Sequence, residues 1–98
     1  MITKRFFKTK DEVEVAFELS LPVDVDGVSV LCDATEWVAT PMRRAKGAWR
    51  VRLRLPVDRH IQFRYLASGG IWITDDEADG YVDNPHGGQN SVVNTYRP

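Results

Sequence analysis

The residues best suited to catalysis in this 98-residue sequence are two histidines, one cysteine and several carboxylates. Nucleophilic catalysis needs a base beside the nucleophile and a third group that orients the base. His60 and His86 both lie in segments rich in turn residues, outside any known nucleophile motif, and Cys32 ends an apolar run as expected of a small buried residue. A glycosidase needs two carboxylates across a cleft, and a domain this small offers little cleft. We therefore predict that the protein is not an enzyme.

The carboxylates are densest in residues 75–80, which makes this segment a candidate calcium loop because calcium prefers six to eight oxygen ligands. The spacing differs from that of an EF-hand, and solvated acidic turns explain the same composition. No cluster of Cys and His residues indicates zinc. We predict neither a metal nor a cofactor.

The three tryptophans indicate more about function than the histidines, the cysteine and the carboxylates do. Trp49 lies among the inward residues of a strongly alternating run and is predicted to be in the core. Trp37 follows a strand-like run, and Trp72 follows a Ser-Gly-Gly turn, so both are expected at a rim. They are either half-buried packing residues or flat platforms that cover the apolar C–H faces of sugar rings.

Alternation with period two dominates the elements that must position these side chains. A strand collects alternate apolar residues on one face, whereas a helix scatters them. Turn-forming residues separate the runs, and no capped amphipathic helix is visible. The pattern predicts an all-β, immunoglobulin-like antiparallel sandwich of about seven strands. The predicted strands include residues 12–19, 28–32, 49–55, 61–65, 72–74 and 91–96.

Two of these runs carry opposite charges on their outward faces. Three glutamates (Glu12, Glu14 and Glu18) alternate along the first, and three arginines (Arg50, Arg52 and Arg54) alternate along another. If the two strands are neighbours, these side chains form cross-strand ion pairs that help to set the register.

Length and charge narrow the classes of function. Ninety-eight residues are enough for one domain, predicted as an N-terminal arm (1–10) and a core (11–96). Thirteen basic and 14 acidic residues give a net charge of −1, which argues against binding to nucleic acid or to an anionic membrane. One cysteine cannot form an internal disulfide, and neither a signal peptide nor a membrane span is evident, so we predict a cytoplasmic protein.

The ordered series of residues 28–37, 41–44, 47–49, 53–56, 62–65, 72–75 and 90–93 resembles the glycogen-binding, isoamylase N-terminal "early set" family. Domains of this family occur at the front of branching and debranching enzymes and in the beta subunit of AMP-activated protein kinase. The resemblance is closest to short bacterial proteins that consist of this domain alone. It covers roughly residues 11 to 95.

The resemblance implies a binding site for α-1,4-linked glucose. Trp37 and Trp72 would stack on consecutive sugars, while Arg64 and Asn90 would bond hydroxyls. A loop residue that reaches the glucan falls at His86 or Gly87. From the residues alone, Arg64 is equally an ordinary solvated strand residue, and Asn90 is equally a residue that bonds within its own turn.

The chain departs from the family pattern before the first tryptophan, where Cys32 and Ala34 replace the usual glycine and phenylalanine. The expected function is non-catalytic binding of glycogen, starch or maltodextrin. The alternative is a protein-interaction module or homodimer that associates with a glucan-metabolising enzyme without binding sugar itself.

Overall fold

Ten strands are present in the computed structural model, which describes residues 1–22 and 24–98. In chain order they are β1 (Ile2–Phe6), β2 (Glu12–Leu19), β3 (Val28–Cys32), β4 (Thr40–Pro41), β5 (Arg43–Ala45), β6 (Ala48–Pro56), β7 (His60–Ala67), β8 (Ile71–Ile73), β9 (Gly80–Asp83) and β10 (Gln89–Asn94).

The strands form two antiparallel sheets that pack face to face. The first sheet has the order β1-β2-β6-β5. The second has the order β4-β3-β7-β10-β9, and β8 pairs with β7 beside this path. This arrangement confirms the predicted all-β, immunoglobulin-like sandwich. Strand β7 is the hub of the second sheet because it pairs with β3, β8 and β10.

The core contains the inward residues that the alternation predicted. Val13, Val15 and Phe17 of β2 are buried, and so are Ile61, Phe63 and Tyr65 of β7. The three aromatic rings meet edge to face, with the Phe17 and Phe63 centroids 5.0 Å apart. Cys32 is buried as predicted, and Trp49 is half-buried against the same core.

The predicted charge pairing between β2 and β6 is also confirmed. The strands are neighbours from Glu12, opposite Pro56, to Leu19, opposite Trp49. Each outward glutamate has an arginine partner, with N–O separations of 2.9 Å for Glu18–Arg50, 4.0 Å for Glu14–Arg52 and 3.9 Å for Glu12–Arg54. Exposed pairs of this kind contribute about 0.2–1 kcal/mol each, so their main effect is on register.

Strands β1, β4, β5 and β9 were not predicted from the sequence. Strand β1 lies within the expected N-terminal arm. It lacks a clean alternation because Lys4 lies between the inward residues Ile2 and Phe6. The Lys4 ammonium lies 2.6 Å from Asp79 Oδ2. Asp79 belongs to the acidic segment and directly precedes β9 of the other sheet. A charged side chain in an ion pair, and not an apolar side chain, therefore occupies this inward position of β1.

The first carboxylate of the acidic segment points into the protein instead of into solvent. Asp75 is buried, and its Oδ2 accepts a 2.7 Å hydrogen bond from the Tyr65 hydroxyl and lies 3.3 Å from the Met1 amino group. Its backbone N–H donates to Ser91 Oγ at 2.8 Å, and its carbonyl accepts from the Tyr81 hydroxyl at 2.7 Å. Asp75 thus ties the link between β8 and β9 to the second sheet.

Burial, followed by the hydrogen bond and the charge of Asp75, raises the pKa of Tyr65 far above its ordinary value of about 10. The folded protein therefore keeps this proton at alkaline pH, whereas the unfolded chain releases it above pH of about 10. The stabilisation is complete below that pH and is lost progressively as the pH rises above it.

We expect Tyr65→Phe to lower the free energy of unfolding by about 1–3 kcal/mol at pH 7, because a buried carboxylate loses a donor. The variant should also lose part of the wild-type decline in stability above pH of about 10. Urea denaturation across that pH range measures both effects. Equal stability at pH 7 together with an unchanged alkaline slope would contradict this role for the Tyr65–Asp75 bond.

Candidate functional site

The candidate site lies on the outer face of the second sheet, the face away from the core. Alternation turns Arg64 of β7 to this side, between the buried Phe63 and Tyr65. Paired residues share a face of a sheet, so Leu31 of β3, opposite Arg64, also faces outward. Trp72 faces outward because it pairs with Leu66.

The five residues implied by the resemblance line one depression of about 440 Å³: Trp37, Arg64, Trp72, His86 and Asn90. They come from the loop after β3, from β7, from β8, and from the β9–β10 hairpin. Sequence reasoning missed the other three lining residues, which are Leu31, Asn84 and Pro85. The alternation of β3 could have indicated Leu31, and the Asn-Pro turn could have indicated the other two.

Trp37 is held by a short turn rather than by a strand. A 3-10 turn (Asp33–Thr35) follows β3, and Glu36 (φ 55°) and Trp37 (φ 61°) are both left-handed. The Trp37 N–H donates to Cys32 O at 2.8 Å, and the Thr35 hydroxyl donates to the same carbonyl at 3.2 Å. Left-handed backbone is costly for residues with a Cβ, so these bonds hold Trp37 in a strained conformation.

The turn that carries Trp37 is held without an aromatic residue at position 34. Ala34 is half-buried against the core, where the family pattern has an aromatic residue. The turn is instead anchored by hydrogen bonds that converge on Cys32. The indole of Trp37 remains 40% exposed at the depression.

The side chains of Trp72 and Arg64 pack directly against each other. The Arg64 guanidinium carbon lies 4.9 Å from the centre of the Trp72 ring, a cation–π contact, and Trp72 is 46% exposed. Arg64 Nε is buried and has no hydrogen-bond partner within the described chain. Arg64 is therefore half-buried and packed on Trp72 rather than extended into solvent.

Asn90 bonds one side chain in its own hairpin and one on strand β7. It is 6% exposed, and its Oδ1 accepts from Asn84 Nδ2 at 3.1 Å while its Nδ2 donates to Gln62 Oε1 at 2.9 Å. One N–H of the amide is not used by these bonds. Its role toward a sugar hydroxyl remains a prediction.

Asn84 organises the turn that carries His86. Its Oδ1 accepts a 2.9 Å bond from the His86 N–H, and its carbonyl accepts a 3.0 Å bond from the Gly87 N–H. Gly88 has φ 72°, and a Cβ there would lie 3.9 Å from Arg64 Nη2. The turn thus presents an exposed His86 at one wall of the depression.

The chemistry available in the depression is stacking and hydrogen bonding. Its lining residues include no carboxylate and no cysteine. In the described part of the chain, no group of three or more His, Cys, Asp or Glu residues is placed to hold a metal ion. Residues 1–22 and 24–98 also contain no helix with the length and apolarity that crossing a membrane requires.

Comparison of the chain with known protein families and with curated proteins found no match. The family resemblance is therefore still a prediction, and it rests on the ordered motifs of the sequence.

We expect Glu36→Gly to raise the free energy of unfolding by about 1 kcal/mol, because glycine adopts a left-handed conformation without Cβ crowding. The matched control is Ala34→Gly in the preceding 3-10 turn, where glycine adds flexibility and removes a methyl group packed against the core, so it should lower stability. Urea denaturation of both variants checks this. Destabilisation by both substitutions would show that the left-handed turn carries no strain at Glu36.

Proposed function

We propose that this protein binds α-1,4-glucans, such as glycogen, starch or maltodextrin, without catalysis at the depression on the second sheet. The observation that carries the proposal is the meeting of two half-exposed indoles, one guanidinium and one buried amide in a single depression. These groups come from four separate segments of the chain, and the sequence resemblance independently selected the same residues.

Each group has a distinct part in the proposed mechanism. Trp37 and Trp72 offer flat apolar faces to the C–H faces of successive glucose units. Other flat ligands stacked on aromatic side chains, such as nucleic-acid bases, gain about 1–3 kcal/mol per stack. The contact with Arg64 restrains the Trp72 ring before a ligand arrives, which lowers the ordering cost of binding. The N–H groups of Arg64 are donors, which suit the oxygen atoms of sugar hydroxyls.

The affinity should be modest for one short chain. Two stacks and two or three exposed hydrogen bonds leave about 4–6 kcal/mol after ordering costs, which corresponds to a Kd between about millimolar and tens of micromolar. A branched polymer presents many equivalent segments, so avidity raises its apparent affinity.

Hydrolysis finds no support in the lining residues. Cleavage of a glycosidic bond uses a pair of carboxylates on either side of the bond, and the depression is lined by aromatic, amide and basic groups instead. The proposal therefore treats the protein as a binding module and not as an enzyme.

Exposed apolar side chains on edge strands favour the second candidate, a protein-interaction module or homodimer that associates with a glucan-metabolising enzyme. Strand β9 is an edge of the second sheet, and Tyr81 and Val82 on it are each 42% exposed. Unpaired edges with apolar side chains are suited to docking another chain. For either function we propose the cytoplasm as the compartment, because Cys32 is a free buried thiol.

The deciding experiment is native electrophoresis of the protein through gels with and without glycogen. We expect retardation of the wild type and loss of about fivefold to hundredfold in affinity for Trp37→Ala and for Trp72→Ala, because each removes one stack. Tyr96→Ala is the matched control, since Tyr96 is an aromatic residue 51% exposed outside the depression. Unretarded wild type would favour the protein-docking alternative.

Binding to glycogen should depend little on salt, because the ligand is neutral and releases no counterions. We expect the apparent Kd to change by less than about twofold when sodium chloride is raised from about 50 to about 500 mM, because a range of this order weakens ionic binding strongly. A steep salt dependence, measured by the same retardation assay, would indicate an ionic mode of binding at Arg64 instead of stacking.

A further inference from the structure

A second depression, of about 500 Å³, lies on the outer face of the first sheet, on the opposite side of the sandwich from the proposed glucan site. Thr3, Ala16 and Arg52 follow one another across β1, β2 and β6 in a single row. Thr3 and Ala16 are short, whereas the side chains around them are long and charged. The depression forms where these two short side chains leave the sheet uncovered.

The next row across the sheet has an unusual distribution of charge. It runs from Glu18 through Arg50 to Arg43, so two arginines stand directly opposite each other on β6 and β5. Like charges in this position destabilise a sheet. Glu18 offsets only Arg50, whose guanidinium lies 2.9 Å from the carboxylate and also donates to Ala45 O at 2.6 Å.

Two guanidinium groups at the depression are therefore available to a ligand. Arg43 is exposed and has no carboxylate within 4.0 Å among the residues described. The cross-strand neighbour of Arg52 is Ala16. Within residues 1–22 and 24–98, the one carboxylate that Arg52 contacts is Glu14, at 4.0 Å, and the Arg52 side chain is 76% exposed.

The charge around the depression differs from that of the whole chain. Three arginines (Arg43, Arg50 and Arg52) and one glutamate (Glu18) line it and give a local charge of +2, although the chain as a whole carries −1. A doubly charged anion would neutralise this excess. Guanidinium groups pair with phosphate through two parallel hydrogen bonds, which a compact ammonium cannot do.

We propose that this depression binds the phosphate group of a small phosphorylated molecule. Arg43 and Arg52 bond the phosphate oxygens, Arg50 adds charge from a fixed position, and the Thr3 hydroxyl is a further donor. The volume is that of a small-molecule site. A long polyanion is disfavoured because Glu12 and Glu14 lie on the same face of the sheet.

The test is a titration of the isotope-labelled protein with inorganic phosphate and, separately, with phenyl phosphate, followed by amide nuclear magnetic resonance at constant ionic strength. We expect saturable shifts confined to Thr3, Ala16 and residues 43–45 and 50–52, with a Kd of about millimolar. If the ligand is a phosphorylated molecule rather than free phosphate, phenyl phosphate should bind more tightly. Shifts that do not saturate, or that spread over all arginines, would overturn the proposal.

Charge-removing variants make the assignment specific. Arg43→Gln and Arg52→Gln should each weaken phosphate binding by about fivefold or more, because each removes a charged donor pair. Arg54→Gln is the matched control: it lies on the same strand and face but outside the depression, beside Glu12. An equal loss of binding in Arg54→Gln would show general charge screening and would overturn the proposed site.

Thermal unfolding gives a second readout that does not depend on detecting the complex. In low-salt buffer without phosphate, Arg43→Gln should raise Tm, because the like-charge pair with Arg50 is removed. Phosphate should raise the Tm of the wild type by more than that of the variant, because the variant binds phosphate more weakly. A lower Tm for Arg43→Gln, or an equal response to phosphate, would contradict the argument.

Discussion

The structure depends on the alternation of strand β7, whose two faces do different work. Ile61, Phe63 and Tyr65 point inward, and the rings of Phe63 and Tyr65 meet Phe17 of the first sheet, so this face holds the two layers together. Arg64 lies between two of these buried residues and must face outward. A register slip of one residue would bury the Arg64 guanidinium and expose two aromatic rings. The burial of those rings in the core therefore also fixes the outward position of Arg64.

Trp37 and His86 at the proposed glucan site are held by local bonds in turns rather than by the core. The 3-10 turn presents Trp37 through bonds to Cys32 O, and the Asn84 turn presents His86. The turn that carries Trp37 specifies its orientation at the cost of backbone strain at Glu36 and Trp37, and binding sites commonly contain such strain. The two faces of the sandwich then differ in chemistry: aromatic and amide groups on one, and paired and unpaired arginines on the other.

The sequence was most informative where side chains alternate cleanly. The bounds of β3, the inward sets of β2 and β7, and the Glu–Arg pairs between β2 and β6 all follow from period two and charge. Strand β1 was not predicted because Lys4 occupies an inward position where an apolar residue is expected. Strands β4, β5 and β9 were not predicted because they are too short for a period to be seen. The site residues came from a resemblance. The Asn84–Asn90 bond and the opposition of Arg43 to Arg50 depend on the registers of the β9–β10 and β5–β6 hairpins, and the residue types alone do not specify those registers.

The most direct test of the glucan account uses the three indole N–H signals of the protein during titration with maltoheptaose. Trp37 and Trp72 line the depression, and Trp49 packs against the core as an internal reference. The account predicts saturable shifts of the Trp37 and Trp72 indole signals with one common Kd, while the Trp49 signal stays in place. Indole signals that remain unchanged at saturating maltoheptaose, or a shift of Trp49 alone, would contradict it.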